Sequence, residues 1–264
     1  MNAKAETLRD RVGPEEWHRR VEVAALYRLT ALYGWDDFLA THISARIPGP
    51  ERHFLLNPLG FWFEEVTASN LVKITLDGAI VEGEHDINYA GFVIHSAIHA
   101  AREDAHFIVH LHTDDGVALS SQKEGLLPLN QRSLAIIPGL AYHDYEGIAF
   151  HLDERARLVA DLGDKSQLVL RNHGTLALGE TAAKAWNRIY GLEKAATAQI
   201  GALTAGRNGV LIAPQAAQDE VRRQMSGGGR LYGGDRPERR RSFEDLGWDA
   251  IRRKVDRYSP GYDQ

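Results

Sequence analysis

The sequence predicts an α/β fold, on three observations. Short apolar runs bounded by Asn, Pro, Gly or Asp alternate with longer stretches whose apolar residues recur at helical spacing. Two of the apolar runs, Phe107–His112 and Gln167–His173, end in histidine. The end of a strand is where open α/β sheets place their ligands.

The elements follow in order. A first helix starts at Pro14-Glu15-Glu16, runs through Trp17, Val21, Ala25, Leu29 and Leu32, and stops at Gly34. Short strands come next at His42–Arg46, Phe54–Leu56 and Val72–Leu76, with turns at Asn57-Pro58-Leu59-Gly60 and Asp77-Gly78. A helix is expected over Tyr89–Arg102, then the strand Phe107–His112 and a further helix directly after it. Strands are expected near Leu134–Ile137 and Leu140–Tyr142, and a helix over Asp153–Leu162. The buried strand Gln167–His173 is turned by Gly174. A long helix, Glu180–Leu203, carries the stripe Trp186, Ile189, Ala196, Ile200 and Leu203. Past Met225 the character changes. Ser226-Gly227-Gly228-Gly229 and Gly233-Gly234 predict a flexible hinge, and Phe243–Tyr258 an amphipathic helix. The expected organisation is one domain over 1–225 and a C-terminal extension over 226–264. Arg236, Arg239, Arg240 and Arg241 read as a solvated tail segment or as a phosphate or partner contact.

Composition narrows the function. With 264 residues, 44% hydrophobic and 25% charged, the chain can bury a sizeable core. A net charge of −5 supplies no global basic field, which argues against a nucleic-acid partner. The absence of cysteine excludes disulfides, thiolate metal sites and a cysteine nucleophile. No apolar run approaches the roughly 20 residues that span a bilayer, and the N-terminus is too polar for a signal peptide. A cytoplasmic enzyme with no membrane partner is the expectation.

The chemistry concentrates on histidine. His110 and His112 are two apart in a strand, so both rings point to one face and can converge on one metal ion. His173, before Gly174 at the end of another apolar run, is a third candidate ligand; its alternative role is to cap a turn. Three histidines without cysteine suit Zn²⁺, Mn²⁺ or Fe²⁺ with positions left open for water or substrate.

These motifs carry a resemblance. FIVHLHTDDGVALS over Phe107–Ser120 resembles the segment of the class II aldolase/adducin family that supplies two metal histidines, and LVLRNHGTLALG over Leu168–Gly179 the segment that supplies the third. Asn88–Arg102 is similar to the helix before the first pair. Thr41–Arg46 and Asn57–Gly60 resemble two substrate-facing loops. Tyr142–Gly147, Trp248 and Pro260-Gly261-Tyr262 resemble the adducin-like bacterial branch. The resemblance implies a three-layer α/β/α fold with a central, mainly antiparallel sheet. It also implies a homo-oligomer, usually a tetramer, with active sites between subunits. The metal would sit on His110, His112 and His173, zinc first with Mn or Fe open, and act as a Lewis acid when a C–C bond breaks. His42, Asn57 and His95 would face a small-molecule substrate.

The chain also departs from the sugar-phosphate aldolases. Their catalytic glutamate falls on or near Gly91 here, and nothing acidic lies between Asn88 and Arg102. Where they place glycine and asparagine before Val-Ser, this chain has Thr41 and His42 before Ile43-Ser44. A substrate other than the usual phosphorylated aldol donor is inferred. Tyr145 and Glu146 offer a proton donor and a base in place of the glutamate; equally, they lock the turn before Gly147. Asp114 and Asp115 are read as capping the next helix. His95 and His99, one turn apart on the helix, are assigned to core positions rather than to the metal, with lining of the pocket as the alternative for His95. Arg46 is assigned to a structural salt bridge rather than a substrate carboxylate. The leading function is a metal-dependent lyase, performing aldol-type C–C cleavage or decarboxylation on a small carbonyl or hydroxy-acid substrate. The rivals are a non-haem Fe(II) oxygenase and a non-catalytic adducin-like interaction module. Retention of all three histidines speaks against the last, because a scaffold has no physical need of a metal site.

Overall fold

The computed structural model describes residues 7–226, 232 and 240–264. Strands β1 (His42–Arg46), β2 (Phe54–Leu56), β3 (Val72–Ile74), β4 (Ile80–Glu82), β5 (Phe107–Leu111), β6 (Leu140–His143), β7 (Gln167–Leu170) and β8 (Gly174–Gly179) make one sheet. Its order is β4-β3-β2-β1-β5-β8-β7-β6. Only β6 and β7 run parallel; the other pairs are antiparallel.

Alternation along the strands sorts their side chains onto two faces. Ile43, Ala45, Phe107, Val109, Leu111 and Ala177 pack under α1 (Leu8–Leu32), α6 (Ala182–Leu203) and α8 (Phe243–Tyr258). Phe54, Leu56, Ile108, Leu168 and Leu176 pack under α2 (Tyr89–Ala101) and α5 (Glu154–Leu162). Helices on both faces of a mainly antiparallel sheet are the three-layer arrangement expected. Trp248, Val255 and Tyr262 lie in the first of these cores, so α8 is packed against α1 and α6. The C-terminus is tied down as well: Ala68 N donates to Tyr262 O at 2.7 Å, and Ser69 N to Gln264 O at 2.9 Å.

Several elements correct the reading of the sequence. The segment near Leu134–Ile137 is not a strand but α4 (Gln131–Ile136) followed by a 3-10 turn. Asn130 caps it, its Oδ1 accepting from Arg132 N and Ser133 N at 3.0 Å, and Ile136 packs against Gly191 of α6. A helix start thus wins over the β-branched run. Gly174 does not turn the chain; it opens β8, which the reading lacked along with β4 and α7 (Gln215–Ser226). The turn is Arg171-Asn172-His173, with Asn172 at φ 55°. His173 therefore sits in a turn rather than in the strand. Pro14 does open the main part of α1, but a short segment capped by Thr7 precedes it across a break at Gly13. The glycine-rich hinge, Arg236 and Arg239 lie outside the described residues.

Candidate metal centre

Sheet register assembles the histidines. His110 is the penultimate residue of β5 and pairs with His42 of β1 on one side and Leu176 of β8 on the other. His112 follows β5, and His173 closes the turn that leads into β8, the neighbour of β5. All three rings meet at one end of the central strands, with centroids 4.7–4.8 Å apart. One nitrogen from each lies within 4.8 Å of the others. Gly174 makes this approach possible: a Cβ there would stand 2.4 Å from Leu111 O and 2.9 Å from the His112 ring.

The donors fit a cation. His110 Nδ1 donates to the Thr175 carbonyl at 2.9 Å, which leaves its Nε2 a bare lone pair when the ring is neutral. His112 Nδ1 faces Asp37 Oδ2 at 3.1 Å, the carboxylate–histidine pairing common behind metal ligands. The two Nε2 atoms are 2.9 Å apart. Two facing lone pairs repel, and a shared cation removes that conflict. Burial holds His110 far below the usual histidine range, with the neighbouring rings acting in the same sense. Burial first, then His112 and His143, brings His173 to about 4. Both are therefore neutral at pH 7, the state a metal requires.

Behind the centre lies a buried polar row. His42 Nδ1 is 2.8 Å from His95 Nε2, His95 Nδ1 is 2.5 Å from Ser44 Oγ, and Ser44 Oγ is 2.7 Å from His99 Nε2. His99 Nδ1 donates to Ala105 O at 2.8 Å. All four side chains are at most 1% exposed. On the other face, the buried carboxyl of Glu193 accepts from the hydroxyls of Thr113 and Thr175, the neighbours of His112 and Gly174. Burial pushes that carboxyl up to about 7.

The remaining sequence candidates are placed as follows. Asn57 is buried at the end of β2, its Oδ1 2.9 Å from the Tyr27 hydroxyl. Tyr145 is half exposed on the loop after β6, and Glu146 is paired with Arg157, Oε1 to Nε at 2.7 Å. No carboxylate joins the three nitrogens among the described residues. Asp114 and Asp115 stand in the first turn of α3 (Asp114–Ser120), and Thr113 is its cap, its hydroxyl accepting from Gly116 N at 3.0 Å. Arg46 meets Glu103 at 3.3 Å, the structural salt bridge expected. Sequence reading gave no role to Asp37, Ser44 or Glu193; Ser44 lies within the segment Thr41–Arg46 read as substrate-facing, and no local pattern around Asp37 or Glu193 points to the centre.

Comparison with known proteins gives a consistent set. The family model of the class II aldolase and adducin N-terminal domain matches residues 21–200. A Caulobacter vibrioides protein, provisionally named as a class 2 aldolase, is 57% identical over 97% of this chain and 96% of its own length. Rat alpha-adducin is 44% identical over 70% of this chain, which spans 25% of that longer protein. The crystal structure of an aldolase II superfamily protein from Pseudomonas syringae superposes with a TM-score of 0.89 at 47% identity, covering 98% of this chain and all of that one. L-fuculose 1-phosphate aldolase from Glaciozyma antarctica follows at 0.77 and 26% identity, with 94% and 93% covered.

Proposed function

The chain belongs to the class II aldolase and adducin family, and from that membership we propose that it is a metal-dependent lyase acting on a small carbonyl or hydroxy-acid substrate. The observation that carries the reading is the convergence of His110, His112 and His173, from β5, its end and the β7–β8 turn, within 4.8 Å. A divalent ion held there, zinc first with manganese or iron as alternatives, supplies Lewis acidity toward a substrate oxygen. The chain's own residues do the rest. Asp37 and the Thr175 carbonyl orient His112 and His110. His42 and Asn57 face the substrate, and His95 supports His42 from behind. The His42 ring packs against Gly91, the place of the aldolase glutamate, so position 91 supplies no base.

Tyr145 and Glu146 are proposed to handle protons across a subunit boundary. Both lie on a surface loop that also exposes Ile148, Phe150 and Leu152, and a second copy of the chain covering this loop would bring them to a neighbouring centre. A tetramer is the expected assembly. Among the described residues no helix is long and apolar enough to cross a membrane.

The test is turnover of a panel of hydroxy-ketones and hydroxy acids by the zinc-loaded protein under argon. Aldehyde or CO₂ release without oxygen is the expected result, with slow turnover of L-fuculose 1-phosphate. Product that forms only with oxygen would replace the lyase with an iron oxygenase, and efficient cleavage of the phosphate would overturn the substrate assignment.

A further inference from the structure

The buried row behind the metal centre has a direction, set by one backbone group. A carbonyl oxygen only accepts, so His99 Nδ1 carries the proton in its 2.8 Å bond to Ala105 O. Burial, with Arg46 adding to it, lowers His99 to about 3, so the ring is neutral and its Nε2 is an acceptor. The single hydroxyl proton of Ser44 must then go to His99 Nε2. Ser44 Oγ is left to accept, which places the proton of His95 on Nδ1. His95 and His42 are buried and, among the described residues, no carboxylate is hydrogen-bonded to either ring, so nothing offsets the cost of charging them. His95 Nε2 is therefore an acceptor, and His42 Nδ1 donates to it at 2.8 Å. His42 Nε2 ends the row as a lone pair: the ring's hydrogen bond among the described residues is made through Nδ1.

That lone pair sits beside the three ligands. The His42 and His110 rings are 5.0 Å apart, in paired positions of β1 and β5, yet His42 is not among the nitrogens that group within 4.8 Å. Its ring fills the volume into which a side chain at 91 would project: a Cβ on Gly91 would meet Cδ2 at 2.5 Å and Nε2 at 2.9 Å. A group locked as an acceptor bonds a hydroxyl hydrogen and repels an anionic oxygen.

We propose that the row Ala105–His99–Ser44–His95–His42 fixes His42 as an acceptor-only group at the metal centre, and that the ligand presents a hydroxyl hydrogen there rather than a phosphate or carboxylate oxygen. The inference deepens the lyase reading and rests on it for the metal. It selects a hydroxylated substrate, with any anionic group placed elsewhere in the site.

Two measurements test it. The first uses the wild-type protein without metal: two-bond ¹H–¹⁵N spectra of the imidazoles report the tautomer of each ring. His42, His95 and His99 are all expected as Nδ1–H, the form disfavoured in water. In Ser44→Ala, His99 keeps that form while His95 and His42 become mixed. An Nε2–H tautomer at any of the three in wild type overturns the row. The second compares glycolate with acetate as ligands of the zinc-loaded protein. The hydroxyl of glycolate can also reach the metal, but that advantage is the same in wild type and in His42→Phe. The preference for glycolate should fall about two- to tenfold in His42→Phe, and by a similar amount in Ser44→Ala, the range of one net hydrogen bond. An unchanged preference overturns the ligand half of the proposal. Failure of the wild-type protein to bind zinc would refute the metal reading and leave the tautomer result standing.

Discussion

Position 91 illustrates how a single residue decides the chemistry available at the centre. In the first turn of α2, alanine is favoured over glycine by roughly 0.5–1 kcal/mol on backbone grounds alone. Here the added Cβ would lie 2.5 Å from Cδ2 of a His42 ring that is pinned by His95 and closely packed. Overpacking of this kind costs typically about 1–3 kcal/mol, so the clash outweighs the propensity. Gly91→Ala is expected to lower the urea midpoint and to leave the zinc stoichiometry intact, because none of the three ligands moves with residue 91. A raised midpoint would mean that the ring relaxes freely and that the row is not rigid. Glu193 makes the complementary point. One carboxyl receives hydroxyls from Thr113 and Thr175, and so ties together the segments that bear His112 and His173.

At the scale of elements, the β7–β8 hairpin positions the third ligand. Asn172 takes φ 55°, a region that costs most L-residues roughly 1–2 kcal/mol and asparagine less. Its N–H donates to Ser120 O at 3.2 Å, and that of His173 to Ser120 Oγ at 3.2 Å, which moors the turn to α3. Asn172→Ala should therefore lose about 1 kcal/mol and weaken zinc binding, whereas Asn172→Gly keeps both, as thermal unfolding and chelator competition would show. A stable, tight-binding alanine variant would contradict the hairpin's role. This hairpin is also where the sequence was least legible. β5 and β7 declare themselves as apolar runs, β1 as a short β-like piece between turns, and α2, α6 and α8 by helical spacing. β8 opens with the glycine that reads as the end of its partner, so the period-2 signal starts inside what resembles a turn. α4 hides behind β-branched residues. The pair His110 and His112 was legible because their spacing is local. The row through Ser44, His95 and His42 was not, since it exists only through the pairing of His42 with His110 and the packing of α2 on β1.

For the whole molecule, the buried neutral histidines govern the response to acid. In the unfolded chain His99 takes up its proton near 6.5, but in the folded chain only near 3. Between those values the unfolded state binds more protons, so stability falls as pH drops through the window. His173, at about 4, acts in the same sense, as do His42, His95 and His110. Glu193 opposes them: raised from 4.5 to about 7, it contributes stability below 4.5 that is lost as pH rises through 7. One carboxyl is outweighed by several rings, so the metal-free protein should lose stability from about pH 6.5 downward; a flat or rising urea midpoint over that range would contradict the burial described. Zinc, binding the folded state alone, should raise the midpoint at neutral pH and lose this effect in acid as the ligands protonate. The central claim is that three histidines from β5, its end and the β7–β8 turn make one metal site. Its most direct measurement is the metal content of protein purified without added metal, set beside His110→Ala, His112→Ala and His173→Ala. About one divalent ion per chain in wild type, and loss of most of it in each variant, is the expected result, because three ligands leave no redundancy. Full occupancy in any one of the three variants would contradict the assignment.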